Sequence, residues 1–448
     1  MLQLIKITKL FGRFNYELSF SSEGIMIITG PNGYGKSTIL RIIECFCNYR
    51  IEKVLSNMFE ELVIECANSS IRIVKKLKTF MINSFEFPYP DKEWDKRHGS
   101  VPFIERMIDD DYIEPRRIDR FSFFGGSPRQ LSIWKDEPNK QAFAFSILGS
   151  YEGEFSSKRI KKLIEDLDGA FSLIGLVQKE IGRVRFIKEQ RLIEKREIRE
   201  DERRYNRTRV EYVTVIHENS EKLKAELAEI MKKHSALSSN LDSTYIKRLF
   251  EADQSQLDSV EPIKERLKEL QGKQDKLQKY GLAEIQNASY LNQLDQEKLN
   301  KFGIELSIYL EDAYAKYQVF EPIIDKLELY ERVINEKLTF KKMFLSSSDG
   351  IVVKTDENTA LSLNDLSSGE QEILVLFYKL IFESDVNLLL IDEPEISLHI
   401  AWQKELMENL KSIVSLKKNI QVIIATHSPQ IISHNWDLQI DLGGLHNG

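Results

Sequence analysis

Nine residues near the start of the chain, Gly30-Pro-Asn-Gly-Tyr-Gly-Lys-Ser-Thr38, set the strongest constraint on what it can fold into. The apolar run Gly24-Ile-Met-Ile-Ile-Thr29 before them reads as a buried strand. Gly30, Gly33 and Gly35 let the following turn present backbone N–H groups to phosphates with no Cβ in the way. A helix starting at the loop adds partial positive charge, Lys36 places an ammonium near the β- and γ-phosphates, and Ser37 offers a hydroxyl to Mg²⁺. Asn32, Gly33, Gly35, Lys36, Ser37 and Thr38 are therefore the candidate nucleotide contacts. The complementary segments follow more than three hundred positions later: Leu366-Ser-Ser-Gly-Glu-Gln371, Leu388-Leu-Leu-Ile-Asp-Glu-Pro394 and Ala425-Thr-His-Ser428. Two distant parts of one chain must fold together before such a site exists.

Val386-Asn-Leu-Leu-Leu-Ile391 is continuously apolar, as a central parallel strand covered on both faces would be, and it ends in two carboxylates. At that strand end Asp392 can hold the Mg²⁺ shell and Glu393 can polarise an attacking water. A solvated charged strand end is the bland alternative, disfavoured by the phosphate loop in the same chain. Ser367-Ser-Gly369 opens the apolar run Ile373-Leu-Val-Leu-Phe377, which makes a second helix N-terminus aimed at an anion. His427 follows a further apolar strand, Ile420-Gln-Val-Ile-Ile-Ala425.

Taken together these motifs resemble the ABC-type ATPase heads of the SMC, RecF and OLD proteins. The resemblance implies ATP and Mg²⁺ as ligands, with Asp392 and Ser37 on the metal and Glu393 as the hydrolytic carboxylate. It implies that Leu366–Gln371 is the signature motif, with Ser367 and Gly369 capping the γ-phosphate held by an opposite protomer. His427 becomes the switch histidine that contacts the γ-phosphate, and Pro394-Glu-Ile-Ser-Leu-His399 the loop that crosses the dimer interface, with His399 where many relatives carry Asp. The glutamine loop of these heads is matched by Gln190 within Val184-Arg-Phe-Ile-Lys-Glu-Gln-Arg-Leu192, as a contact to Mg²⁺ or water.

The arrangement looks most like the stand-alone ATPases of bacterial antiphage systems of the PARIS and Septu kind. That likeness implies a homo-oligomer built from ATP-sandwiched head dimers, at least a dimer and up to a hexamer. It also implies a separate effector nuclease of Toprim or HNH type encoded nearby, and a phage protein as trigger. Twenty-one residues follow His427, too few for a fused Toprim nuclease. The alternative is a RecF-like repair ATPase that binds DNA directly, which leaves DNA an open partner. A transporter-like subunit is disfavoured by the long insertion.

The expected fold is α/β: an ABC-ATPase head assembled from N- and C-terminal lobes around a mixed sheet, with an inserted helical, short coiled-coil arm. Residues 1–195 make the first lobe, with a hairpin through Phe11-Gly12-Arg13, β-rich segments at Leu62–Cys66 and Ile71–Val74, and a proline-rich irregular stretch over about 81–155. Residues 196–346, poor in Gly and Pro, read as helices, with heptad-like spacing at Val260, Ile263, Leu267, Leu270, Leu277 and again at Phe320, Ile323, Leu327, Tyr330, Ile334. Residues 347–448 make the second lobe.

Net charge of −7 argues against a wholly basic, DNA-coating surface, although Arg183–Arg209 carries eleven Lys or Arg against six acids on what reads as a strand leading into a helix. Asp109-Asp-Asp111 with Glu114 reads as an acidic surface loop. Cys45, Cys47 and Cys66 lack metal-finger spacing and read as reduced thiols. No run of eighteen apolar residues occurs, and Met1-Leu-Gln-Leu-Ile-Lys alternates like an edge strand, so a cytoplasmic protein without membrane contact is expected.

Overall fold

The computed structural model describes residues 1–21, 23–89, 140, 143–144, 147, 157–188, 193–200, 207–252, 260–283, 296–383, 386–417 and 419–446. The expected glutamine contact Gln190, the acidic segment at 109–114 and most of the proline-rich stretch lie outside these residues. The chain divides into two compact units: one of residues 1–189, 385–396 and 403–448, the other of residues 190–384 and 397–402.

The first unit opens with β1 (Leu2–Leu10) and β2 (Phe14–Ser19), the hairpin expected around Gly12. Then come β3 (Ile25–Thr29), α1 (Lys36–Cys47), α2 (Ile51–Ser56), β4 (Glu61–Cys66), β5 (Ser70–Lys75), β6 (Thr79–Ile82), β7 (Phe85–Pro88), α3 (Ser157–Ile181) and β8 (Val184–Ile187). An antiparallel sheet runs β2-β1-β4-β5-β6-β7. Its strands alternate between buried and exposed positions, as one-sided sheets do. The parallel strands form a separate sheet, completed from the far end of the chain by β14 (Leu388–Asp392), β15 (Gln421–Ala425) and β16 (Gln439–Asp441), in the order β16-β3-β15-β14-β8. Every residue of β3, β14 and β15 is buried, which explains their unbroken Ile, Leu and Val runs. One core joins both sheets: Ile28, Leu390, Ile423 and Ala425 pack with Ile39, Leu40 and Ile43 of α1, with Leu167 and Ile174 of α3, and with Ile5, Ile7 and Leu62.

The second unit contains β9 (Ile193–Glu200) and β10 (Arg207–Thr214), then α4 (Val215–Glu251), α5 (Val260–Lys279), α6 (Gln296–Lys301), α7 (Gly303–Gln318) and α8 (Glu321–Asn335). β11 (Lys341–Ser346), β12 (Gly350–Thr355) and β13 (Ala360–Leu361) follow, and then α9 (Ser368–Phe382). β9 and β10 form an antiparallel hairpin with Ile193 opposite Thr214. This corrects the expected passage from strand into helix over Arg183–Arg209. High Glu, Lys and Arg content suggested helix, yet the Arg-Thr-Arg-Val-Glu-Tyr-Val-Thr segment carries β-branched or aromatic residues, Thr208, Val210, Tyr212 and Thr214, at alternate positions with no apolar stripe at helical spacing. The first heptad-like stretch does not pair with the second along its length: Ile263, Leu267 and Leu270 of α5 pack on Leu299 of α6 and on Leu306 and Leu310 of α7. The two stretches meet through ion pairs instead, Lys276 to Glu328 at 2.9 Å and Lys279 to Glu331 at 2.5 Å. Tyr330 anchors α8 to α9, its hydroxyl donating to the Leu374 carbonyl at 2.9 Å.

Candidate functional site

Parallel strand order decides where the chemistry sits. β3, β14 and β15 run together in register, Asp392 beside Ala425 and Ala425 beside Ile28, so the loops leaving all three emerge on one edge. The phosphate loop leaves β3, Asp392-Glu393 ends β14, and His427 leaves β15. Sequence reasoning assigned these residues separately, and the fold brings them together in the first unit.

Gly30, Gly33 and Gly35 take left-handed φ values of 138°, 86° and 93°. A Cβ on Gly33 would meet nothing within 4 Å, whereas one on Gly35 would lie 2.7 Å from Leu10 Cδ2 and 3.1 Å from Phe11. The first glycine thus leaves the cradle open, and Gly35 lets the hairpin turn approach the loop. Gly35 is also the N-cap of α1, which receives no side-chain cap and carries no acid in its first turn. Its leading N–H groups therefore remain available to an anion. Ser37 Oγ donates to Asp392 Oδ1 at 2.9 Å, and Asp392 is 7% exposed. Paired hard oxygens beside an uncapped helix end fit Mg²⁺ and a polyphosphate.

Lys36 is 5% exposed and turns inward: its ammonium donates to the Gly30 carbonyl at 3.0 Å, lies 2.5 Å from His427 Nε2 and 4.0 Å from Glu393 Oε1. Burial pulls its pKa down, and Glu393, Asp392 and Glu395 oppose that. His427 Nε2 stands 3.2 Å from Glu393 Oε1. Burial, aided by Lys36, holds the imidazole below its ordinary pKa, so it is neutral at pH 7. Burial first and the neighbouring Glu395 carboxyl second push Glu393 up to about 8, against the pull of Lys36. Glu393 also sits at φ +43°, a left-handed backbone that costs a non-glycine residue about 1–3 kcal/mol and is characteristic of functional sites.

Glu395 escaped the sequence reading, which placed it only within an interface-crossing loop. Its Oε1 accepts from Thr426 Oγ1 at 2.6 Å, from the His427 amide at 2.7 Å and from the Ser428 amide at 3.0 Å. No spacing rule identifies such a residue, because its partners lie some thirty positions away in the loop that leaves another strand. His399 falls in the second unit, where its exposed ring accepts from the Ala401 amide at 3.3 Å and packs edge-on to Trp402. Ser367 and Gly369 also belong to the second unit. There Ser367 N-caps α9 in a capping box, its hydroxyl donating to Glu370 Oε2 at 2.9 Å, and Lys341 pairs with Glu370 at 2.9 Å. Among the described residues no His, Cys, Asp and Glu cluster of metal-binding type occurs, and no helix is long and apolar enough to cross a membrane. The three cysteines are free thiols, and burial raises Cys45 and Cys66 to about 11.

A probable ATPase of retron Ec83 from Escherichia coli is 27% identical over 243 residues, which is 50% of this chain and 43% of that protein. The chain thus matches less than half the length of that relative. Among solved structures, similarity extends to the SMC head domain with an extended coiled coil bound to the C-terminal domain of ScpA from Pyrococcus furiosus, at 12% identity and a TM-score of 0.36 over 96% of this chain and 91% of that one. The SMC head domain from Thermotoga maritima gives 12% identity and 0.33 over 96% and 90%. The family model described as an AAA ATPase domain matches residues 1–432, so the chain belongs to the AAA ATPase domain family.

Proposed function

We propose that this chain is a Mg²⁺-dependent ATPase that acts as sensor and scaffold in a bacterial antiphage system. In this reading it oligomerises through ATP-sandwiched heads in the cytoplasm and controls a separate effector nuclease, of Toprim or HNH type, until a phage-encoded trigger arrives. The convergence of Lys36, Ser37, Asp392, Glu393 and His427 on one sheet edge carries the hydrolytic part of the reading. The retron-associated relative supports the defence setting.

Ser37 and Asp392 would hold Mg²⁺, which would supply charge neutralisation to the phosphates. The loop amides and the α1 N-terminus bind the phosphates, and Lys36 exchanges its contact with the Gly30 carbonyl for the β- and γ-oxygens. Glu393, once ionised, accepts a proton from the attacking water. Neutral His427 beside it orients that water and the γ-phosphate. Ser367 and Gly369 of a second protomer close over the γ-phosphate, so ATP binding is coupled to assembly.

The test is Glu393→Gln. This variant is expected to bind ATP with near wild-type affinity and to hydrolyse it at least about 100-fold more slowly, accumulating the closed assembly. Wild-type turnover would place the base elsewhere. Purifying the same variant with its genomic neighbours tests the scaffold role: a stoichiometric nuclease held in an ATP-dependent manner is expected. Nucleic acid retained without a protein partner would favour the RecF-like alternative.

A further inference from the structure

We propose that Glu395 is a positioning residue for hydrolysis: its carboxylate clamps the loop Thr426–Ser428, and through it the His427 imidazole, to the strand end that carries Glu393. The inference rests on the proposed roles of Glu393 and His427.

The register of the parallel sheet makes such a clamp necessary. β14 and β15 are paired up to Asp392 and Ala425, and the Glu393 amide adds one last bond to the Ala425 carbonyl at 2.8 Å. Beyond that point the two chains diverge and the ladder ends. The His427 and Ser428 amides then turn to a side chain, converging with the Thr426 hydroxyl on the single oxygen Glu395 Oε1. Three donors thus share one acceptor oxygen, which ties the loop backbone at two amides and one side chain.

A second link closes the ring. Ser428 Oγ donates to Gln403 Oε1 at 2.6 Å, and Gln403 Nε2 donates to the Glu395 carbonyl at 3.3 Å. Thr426 is fully buried, and its amide reaches the Ile28 carbonyl at 3.1 Å. The switch loop is thus tied to the β14 exit by a side chain and to β3 by its own backbone. Helix capping does not account for this arrangement. The short helix α11 that follows, within the run of α10 (Ile400–Lys417) and α11 (Pro429–Ile432), takes its cap from Ser428, whose own hydroxyl accepts from the Gln430 amide. What Glu395 fixes is the residue in between, His427, whose Nε2 stands 3.2 Å from the hydrolytic carboxylate. Placement errors of about 1 Å at a reacting group cost on the order of 100-fold in rate, so holding this backbone matters to turnover more than to ATP affinity.

The experiment measures ATP affinity and turnover of the full chain in Glu395→Ala, Glu395→Gln, Thr426→Val and His427→Ala, and in Glu395→Ala combined with His427→Ala. Glu395→Ala is expected to lower kcat by roughly 10- to 100-fold with ATP affinity within about 3-fold of wild type, since the phosphate loop is untouched. Glu395→Gln, which keeps an acceptor oxygen in place, should recover most of that loss. The double variant should be no slower than His427→Ala alone, because a residue acting through His427 has nothing left to position. Thr426→Val, which removes one donor of the three, should show the same loss in kcat at smaller size, and it carries the test if Glu395→Ala fails to fold. Multiplying losses in the double variant, a Gln variant as slow as the Ala variant, or wild-type kcat in both Glu395→Ala and Thr426→Val would overturn the inference. Wild-type turnover in His427→Ala would instead remove the switch-histidine reading on which it stands.

Discussion

Two helix N-termini in this molecule present their backbone donors in opposite ways. α1 begins at a left-handed glycine, with no side-chain cap and no acid in its first turn. α9 begins at Ser367 in a complete capping box, with Glu370 in its first turn and Lys341 paired to that carboxylate. The first leaves its positive end unsatisfied and available; the second satisfies its own donors and adds a negative charge where an anion would come. An open end is ready for ligand at any time. A closed end yields only when a stronger acceptor displaces the internal one.

The largest expected effect separates the two ends outright. Lys36→Ala should weaken ATP binding by on the order of 100-fold in calorimetry by removing the buried ammonium, whereas Ser367→Ala should leave the affinity of the free chain within about 3-fold. Equal losses in the two variants would erase the distinction. Gly35→Ala comes next: strain at φ +93° and the approach to Leu10 should destabilise the protein by about 1–3 kcal/mol, read as a lower denaturant midpoint. At the closed end, Glu370→Ala removes half of the capping box and should cost about 1 kcal/mol. Although burial raises the Glu370 carboxyl, its bonds from Lys341 and Ser367 outweigh that and hold its pKa below 4.5. Its contribution is therefore present above pH 4.5 and lost as pH falls through the lower folded value, so wild type and variant should converge in acid.

A pH-dependent effect concerns Glu393 in nucleotide-free protein kept in chelator. The folded carboxyl keeps its proton up to about pH 8, while the unfolded one loses it near 4.5. Stability from this group is thus present below pH 4.5 and lost as pH rises towards 8. Glu393→Gln should raise Tm relative to wild type at pH 8 and leave it unchanged at pH 4.5. A constant difference across that range would show that burial does not act on this carboxylate as described.

Much of the site was legible in the sequence because its parts are local. The phosphate loop, the carboxylates ending an apolar strand and the histidine after another are each written in adjacent residues, and a fully buried parallel strand has an unmistakable composition. The hairpin at Gly12 and strands β4 and β5 were legible for similar reasons. The clamp at Glu395 was not, since it depends on where two loops pass in space. Neither was the β9–β10 hairpin, where charge content outweighed the period of alternation. The self-capped state of Ser367 could have been suspected from Ser367 and Glu370 three positions apart, a spacing that marks a capping box before it marks a ligand site.

The order of strands in the parallel sheet carries a kinetic consequence. β3, which bears the phosphate loop, is flanked on one side by β15 and on the other by β16. At ribosomal speeds of about 5–20 residues per second, β3 waits roughly 20–80 s for β15 to be synthesised. During that time its Ile-Met-Ile-Ile run has neither neighbour to pair with. Long-range parallel pairing is slow and exposes apolar edges, so the nascent chain is expected to need shielding by chaperones until residue 441 has emerged.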